Sequence, residues 1–234
     1  MSNLKKAFNL NYKKKSDDSF LKVLSKDFSY DHFNYREIKS YLEELVKSSQ
    51  ASLTVNVDGL KLQNKFFPDF GKKKDIVFLS HSSKDFKEAN DVKKDIERKT
   101  GLSVFIDSNV WGFYGELVSI LKAKFSNDES FQTTFAITLL LDSLRRAIYH
   151  SKYFIFLNTD NSYSNIENET SSMFIYYELN CVNDFLEFKN KFISGMEMLQ
   201  EKNESKPEMT AKFSVLVDNL CPIESVDDFI KEIK

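Results

Sequence analysis

The chain reads as an α/β protein, an open and mostly parallel sheet with helices on both faces, and three observations lead there. Asp75-Ile-Val-Phe-Leu-Ser80, Leu102-Ser-Val-Phe-Ile-Asp107 and Tyr153-Phe-Ile-Phe-Leu157 are short apolar runs with little polar alternation, as strands buried on both faces require. The stretches between them carry apolar residues three and four apart, which is helical spacing. Strand and helix alternate, and a crossover helix is what a parallel strand pair needs.

The elements follow in order. Residues 1–71 read as an α+β extension. Phe20, Leu21, Leu24 and Phe28, then Ile38, Tyr41, Leu42, Leu45 and Val46, suggest two amphipathic helices between Ser19 and Lys47. Asp58-Gly59 marks a hairpin between Leu53–Val57 and Leu60–Leu62. Pro68 and Gly71 punctuate a linker, which sets the second domain at 72–234. The lysines at 13–15 and 72–74 read as solvated flanks. In the strand-helix-strand unit, Ser82 or Ser83 caps a helix with Asp85 in its first turn. Phe86, Ala89, Val92 and Ile96 form its apolar stripe, and Gly101 stops it. Ser108–Gly115 reads as a loop holding Trp111, followed by helices at Glu116–Phe125 and Phe131–Tyr149. In the second of these helices Phe135, Leu139 and Ile148 are set to face the core, with Arg145 and Arg146 set to face water. A polar loop spans Asn158–Ser171, and a helix runs from Ser172 to about Ile193. Lys202–Glu208 reads as a loop, Phe213–Val217 as the fourth strand, and Val226, Phe229, Ile230 and Ile233 as a final amphipathic helix.

Composition narrows the function. With 33 basic and 35 acidic residues the net charge is -2, which gives no general attraction to nucleic acid or an anionic membrane. No apolar run approaches the ~20 residues of a membrane span, and MSNLKKAFNLNYKKK lacks the apolar core of a signal peptide, so a cytoplasmic location is expected. Cys181 and Cys221 form no CxxC pair, and His32, His81 and His150 are scattered, so neither a disulfide framework nor a metal site is expected. None of the 6 glycines forms GxGxxG or a Walker loop, which disfavours dehydrogenases and P-loop NTPases.

Certain residues have both a structural and a chemical reading. The loop leaving the first strand of the central unit lies at the carboxyl edge of the sheet, where open α/β folds bind ligands. Ser80, His81, Ser82 and Asp85 either line a site there or only cap the helix. Trp111 either stacks on a flat ligand or plugs the core. Glu178 sits among aromatic and apolar residues, and burying an unpaired carboxylate is costly, so it is either at the surface or held for a purpose.

Three features in this order and spacing resemble the Toll/interleukin-1 receptor (TIR) domain family, especially its bacterial members. DIVFLSHSSKD at Asp75–Asp85 looks like the family's opening box, and VFID with the following tryptophan at Val104–Trp111 looks like its second strand and loop. SKYFIFLNTDNSYSN with SSMFIYYELN is similar to its third strand, polar loop and S-x-W-x-x-x-E-L helix start. The likeness covers about Lys74 to the C-terminus and implies a flavodoxin-like TIR fold. It also implies an enzyme that cleaves the nicotinamide-ribose bond of NAD+, giving nicotinamide and ADP-ribose or a cyclic isomer. Some of the family's members make such a product as a signal in antiphage defence of the Thoeris type, and the resemblance implies that role here.

By that resemblance the catalytic glutamate falls on Glu178, with Phe174 where the family commonly has tryptophan and with Ser172 as its serine. Phe174 and Trp111 are expected to stack on a ring of the substrate, while Ser80, His81, Ser82 and Asp85 line the site. The chemistry suits these residue types: loss of nicotinamide leaves an oxocarbenium-like ribose, which a carboxylate stabilises. NAD+ is then a substrate and no cofactor is implied. The expected partners are NAD+, further copies of the chain on activation, and a separate effector protein that senses the product. A non-catalytic TIR module acting by self-association is the first alternative, and a nucleoside deoxyribosyltransferase on a similar sheet is the second.

Overall fold

The structure, a computed structural model, describes residues 4–12, 76–106, 108–125, 128–164, 169–186, 196–200, 209–214 and 217–234, and isolated positions between 40 and 61. For 108–114, 116, 196–200 and 209–214 it describes the backbone alone. Two compact units form: Met1–Lys13 with Lys73–Asp107 and Leu144–Lys234, and Lys14–Lys72 with Ser108–Ser143.

The first unit is built on a five-stranded sheet. Its strands are β1 (Lys6–Asn11), β2 (Ile76–Ser80), β3 (Ser103–Ile106), β4 (Tyr153–Asn158) and, after three strands described below, β8 (Cys221–Ile223). Their spatial order is β3-β2-β4-β1-β8, and every pair is parallel. The α/β class expected from the sequence is therefore present. Period-two alternation splits the sheet into two apolar faces. Phe8, Leu10, Val77, Leu79, Val104, Ile106, Tyr153, Ile155 and Leu157 share one core with Ala89, Val92 and Ile96 of helix α1 (Phe86–Thr100) and Phe229 of helix α5 (Val226–Ile233). Phe229 meets Phe8 edge-on at 5.2 Å and Tyr153 at 5.6 Å, an arrangement that suits the ring quadrupoles. On the opposite face Phe78 stacks on Phe154 at 5.6 Å, and Phe78, Phe154 and Phe156 are fully buried, so this face is covered too.

The α1 stripe and its stop lie where the spacing puts them. Gly101 adopts φ 72, and its N–H donates to Glu97 O, closing the helix in a conformation that other residues rarely take. Ser82 caps a short 3₁₀ turn at Ser83–Asp85 that leads into α1. Val226, Ile230 and Ile233 pack partly buried around Phe229, as their spacing requires.

The N-terminal assignment needs correction. Lys6–Asn11 is no part of an extension, because it pairs with β4 from Lys6↔Tyr153 to Asn11↔Asn158 and with β8 on its other side. Its polar residues alternate with Ala7, Phe8 and Leu10, so the segment lacks the unbroken apolar run that marks β2 and β4. The fourth strand is displaced as well. Instead of Phe213–Val217 joining the parallel sheet, β7 (Met209–Ser214) runs antiparallel between β5 (Glu169–Thr170) and β6 (Met196–Gln200) in a separate three-stranded sheet. An apolar run specifies a strand, and its partner is chosen by whichever neighbour buries it. Helix α4 (Met173–Phe185) stops short of the expected Ile193, which lies outside the described residues.

In the second unit, helix α2 (Ser108–Lys124) covers the whole stretch expected to be a loop, so Trp111 and Gly115 are helical. Gly112 and Gly115 both lower helix propensity, but their cost of ~1 kcal/mol each is small beside that of breaking a helix of this length. Helix α3 runs over Glu129–His150, its residues from Leu144 on counted with the first unit, and has Leu139 and Ile148 buried, Phe135 half-buried and Arg145 exposed, while Arg146, also expected to face water, is half-buried. Asp58-Gly59 is not a hairpin turn: Gly59 and Lys61 are helical, and the Asp58 carboxylate accepts from Lys61 N at 3.1 Å, which makes it a helix cap. The helices expected over 19–47 fall largely outside the described residues, among which 40, 41, 43, 44 and 47 are helical. The lysine clusters at 13–15 and 72–74, Pro68, Gly71 and 202–208 lie outside them entirely.

Candidate functional site at the carboxyl edge of the sheet

The chain leaves β2 toward β3 on one side, while β4 lies on the other, so the strand order reverses between β2 and β4. Such a switch point opens a crevice beyond the carboxyl ends of the two strands. The loop after β2 and the loop after β4 meet there. Asp85, nearly fully buried, accepts a hydrogen bond from Thr159 Oγ1 at 2.5 Å and another from Asn161 Nδ2 at 2.6 Å. Thr159 is held in turn by Ser162, whose Oγ accepts from Thr159 N at 2.8 Å and donates to Leu157 O at 3.0 Å, and Asn161 N donates to Thr159 Oγ1 at 3.2 Å. Asp85 is thus a clasp between the two loops. The Thr159–Ser162 loop escaped the sequence reading as a partner for Asp85, although its polar run directly after β4 marked it as a loop at this edge.

Asp85→Ala removes the acceptor for both donors in a buried setting. We expect a loss of about 2–4 kcal/mol in urea unfolding and faster hydrogen exchange in 158–164.

The other expected residues divide. Ser80 is fully buried at the end of β2, aligned with Phe156 of β4, and among the described residues its Oγ has no hydrogen-bond partner. His81 is buried, with its ring 6.4 Å from that of Phe86. Ser82 and Ser172 both cap helices: Ser82 Oγ accepts from Lys84 N at 3.4 Å and Ser172 Oγ from Ile175 N at 3.3 Å. Trp111 belongs to the second compact unit, and the loop reading on which its stacking role rested does not hold.

Phe174 and Glu178 lie four residues apart on α4, on one side of the helix. Phe174 is half-buried and Glu178 is fully buried, so Glu178 is not the surface residue that was one of its two readings. Its neighbourhood is recorded by Cys181 in the next turn. Burial pushes that thiol up to about 12; a hydrogen bond with Tyr177 and the charge of Arg145 pull it down, and the charge of Glu178 adds to the rise. The thiolate is therefore scarce at neutral pH. A maleimide at pH 7 should label only Cys221 in the folded chain, with Cys181 reacting after denaturation; mass spectrometry of the labelled peptides reads the difference.

The arrangement offers a buried carboxylate in the second turn of α4 and a clasped pair of loops at the switch point. Among the described residues no group of three or more His, Cys, Asp or Glu is placed to hold a metal ion, and no helix is long and apolar enough to cross a membrane. No family model, curated protein or solved structure matches the chain.

Proposed function

We propose that the chain is a TIR-type NAD+-cleaving enzyme, with Glu178 as the catalytic carboxylate. The observation that carries this reading is the complete burial of Glu178 in α4, four residues after Phe174, in the helix whose start resembles the family's glutamate-bearing helix. A fully buried carboxylate is expensive to keep and strong when it acts, because low dielectric enlarges its effect on a developing positive charge. The order β3-β2-β4 supports the fold reading, since it reproduces the 2-1-3 part of the flavodoxin-like order 2-1-3-4-5; the next position is taken by the N-terminal strand β1.

In the proposed reaction the bond between ribose C1′ and the nicotinamide nitrogen breaks, and its electron pair leaves with nicotinamide. Glu178 hydrogen-bonds the ribose hydroxyls and opposes the charge left on the ring. Water attacking C1′ gives ADP-ribose and a proton, while an atom of the same molecule attacking gives a cyclic isomer. Glu178 has no exposed surface in this conformation, so substrate reaches it only after its cover opens. That requirement fits a chain that is silent until it self-associates and then makes a signal for a separate effector in antiphage defence.

A second reading is a non-catalytic module acting by self-association, and the use of Ser82 and Ser172 as helix caps, in place of site-lining groups, favours it. Nicotinamide release from NAD+, with products identified by mass spectrometry, separates the two. Release by the wild-type chain and not by Glu178→Ala supports the enzyme. Absence of release under crowding and with lysate from phage-infected cells, with oligomers forming normally in both proteins, supports the module.

A further inference from the structure

The sheet face opposite α1 and α5 changes character along its strands. Side chains alternate between the two faces, so Phe8, Leu10, Leu79, Ile155 and Leu157 point to the α1 side and the residues between them to the other. On that second face Phe78 gives way to Ser80 in β2, Phe156 to Asn158 in β4, and Ala7 to Asn9 and Asn11 in β1. The apolar layer therefore ends in a polar band at the carboxyl edge. Two members of the band are engaged: Asn158 Nδ2 donates to Asn11 Oδ1 at 3.3 Å, and Asn11 Nδ2 donates to Glu224 Oε1 at 3.1 Å. The other two are not. Ser80 of β2 and Asn9 of β1 both align with Phe156 of β4, so they flank it in one row across three strands, roughly 10 Å apart. Ser80 is fully buried and Asn9 Oδ1 is shut off from water, yet among the described residues neither Ser80 Oγ nor Asn9 Oδ1 has a hydrogen-bond partner. Buried polar atoms are ordinarily paired, because leaving one bare costs stability.

Helix α4 lies on this second face. The step from β2 to β3 and the step from β4 to β8 run in opposite directions across the sheet, and right-handed crossovers then put α1 and α4 on opposite sides. In agreement, no residue of α4 belongs to the core under α1 and α5. Its buried residues Ile175, Glu178, Leu179 and Val182 form one stripe, so Glu178 faces the layer that holds Ser80 and Asn9. We propose that Asn9, on the N-terminal strand, is a substrate-binding residue that acts beside Ser80 and accepts a hydrogen bond from the nucleoside half of NAD+, from a ribose hydroxyl or the nicotinamide carboxamide. The inference rests on the reading of Glu178 as the catalytic carboxylate. Chemistry selects that half of the molecule: a bare amide oxygen needs an N–H or O–H from its ligand, which a pyrophosphate does not offer, and the four residues of the band carry no positive charge to pair with phosphate. The resemblance to TIR domains begins near Lys74, so this contribution comes from a part of the chain that the resemblance does not cover.

The test is base release by the full chain, wild type and Asn9→Leu, from NAD+ and from nicotinic acid adenine dinucleotide, whose carboxylate has no N–H, together with urea unfolding of both proteins. Leucine is close to asparagine in size and has no polar side-chain atom. The KM for NAD+ should rise about tenfold or more with kcat within about threefold of wild type, as loss of a binding contact requires. The urea midpoint should stay level or rise, because no hydrogen bond of the fold is removed. If the carboxamide is the donor, wild type discriminates against the acid analogue and Asn9→Leu does not; if a ribose hydroxyl is the donor, KM rises by the same factor for both. An unchanged KM beside an active wild type overturns the role of Asn9 and leaves that of Glu178 standing. A lower midpoint also overturns it, since Asn9 then serves the fold. A wild-type chain that releases no base under crowding and with lysate from phage-infected cells overturns the NAD+ reading and this inference with it. Should Asn9→Leu fail to fold, Asn9→Ala is judged on kinetics alone: a raised KM with kcat held supports the role, and an unchanged KM refutes it.

Discussion

A chain beginning near Lys72 will not fold cooperatively, and Phe8→Ala in the full chain will lose about 3–5 kcal/mol in urea unfolding. Phe8 is fully buried, edge-on to Phe229 at 5.2 Å and tilted against Tyr153 at 6.4 Å, so its removal opens a cavity between the sheet and α5. Truncation goes further. Without Lys6–Asn11, β4 loses a six-residue partner on one side, and β8 loses the strand that attaches it to the sheet. The exposed row of main-chain groups on β4 then becomes an aggregation edge in the middle of the core. Circular dichroism and urea titration of the truncated chain measure this directly. A truncated chain with the full chain's transition midpoint and slope would restore the view of residues 1–71 as a separable extension.

Glu178→Gln should lower nicotinamide release roughly 10²–10³-fold or more while leaving stability within about 1 kcal/mol of wild type. Glutamine keeps the volume and a carbonyl acceptor but has no charge to oppose an oxocarbenium-like ribose. In a fully dry position the neutral amide also costs less to bury than a carboxylate. The two readouts together discriminate. Undiminished release sinks the catalytic assignment. A loss of several kcal/mol without any release by the wild-type chain would mean that Glu178 serves a structural interaction and would leave the self-association module as the reading.

How far the site could be read from residue order depends on whether the determining contacts are local. Ser82 and Ser172 cap helices because a hydroxyl two or three residues before an N–H is a matter of local geometry, and sequence carries it. The Gly101 stop and the stripe of Ala89, Val92 and Ile96 are local for the same reason. Asp85 was placed at the right edge of the sheet, but its partners lie 74 and 76 residues away, and nothing in its own surroundings names them. Asp58-Gly59 shows that even local signals compete: the aspartate that favours a turn also caps a helix, and the cap prevailed.

By itself the order of residues determined the α/β class, the α1 and α5 faces, and the apolar runs of β2, β3 and β4, because each depends on periodicity within one element. Only the tertiary structure decided that β1 fills the position beside β4, that Met209–Ser214 pairs in another sheet, and that Glu178 is sealed from water. Those are choices of partner between segments far apart in the chain, and they are settled by which combination buries the most apolar surface and satisfies the most main-chain groups at once.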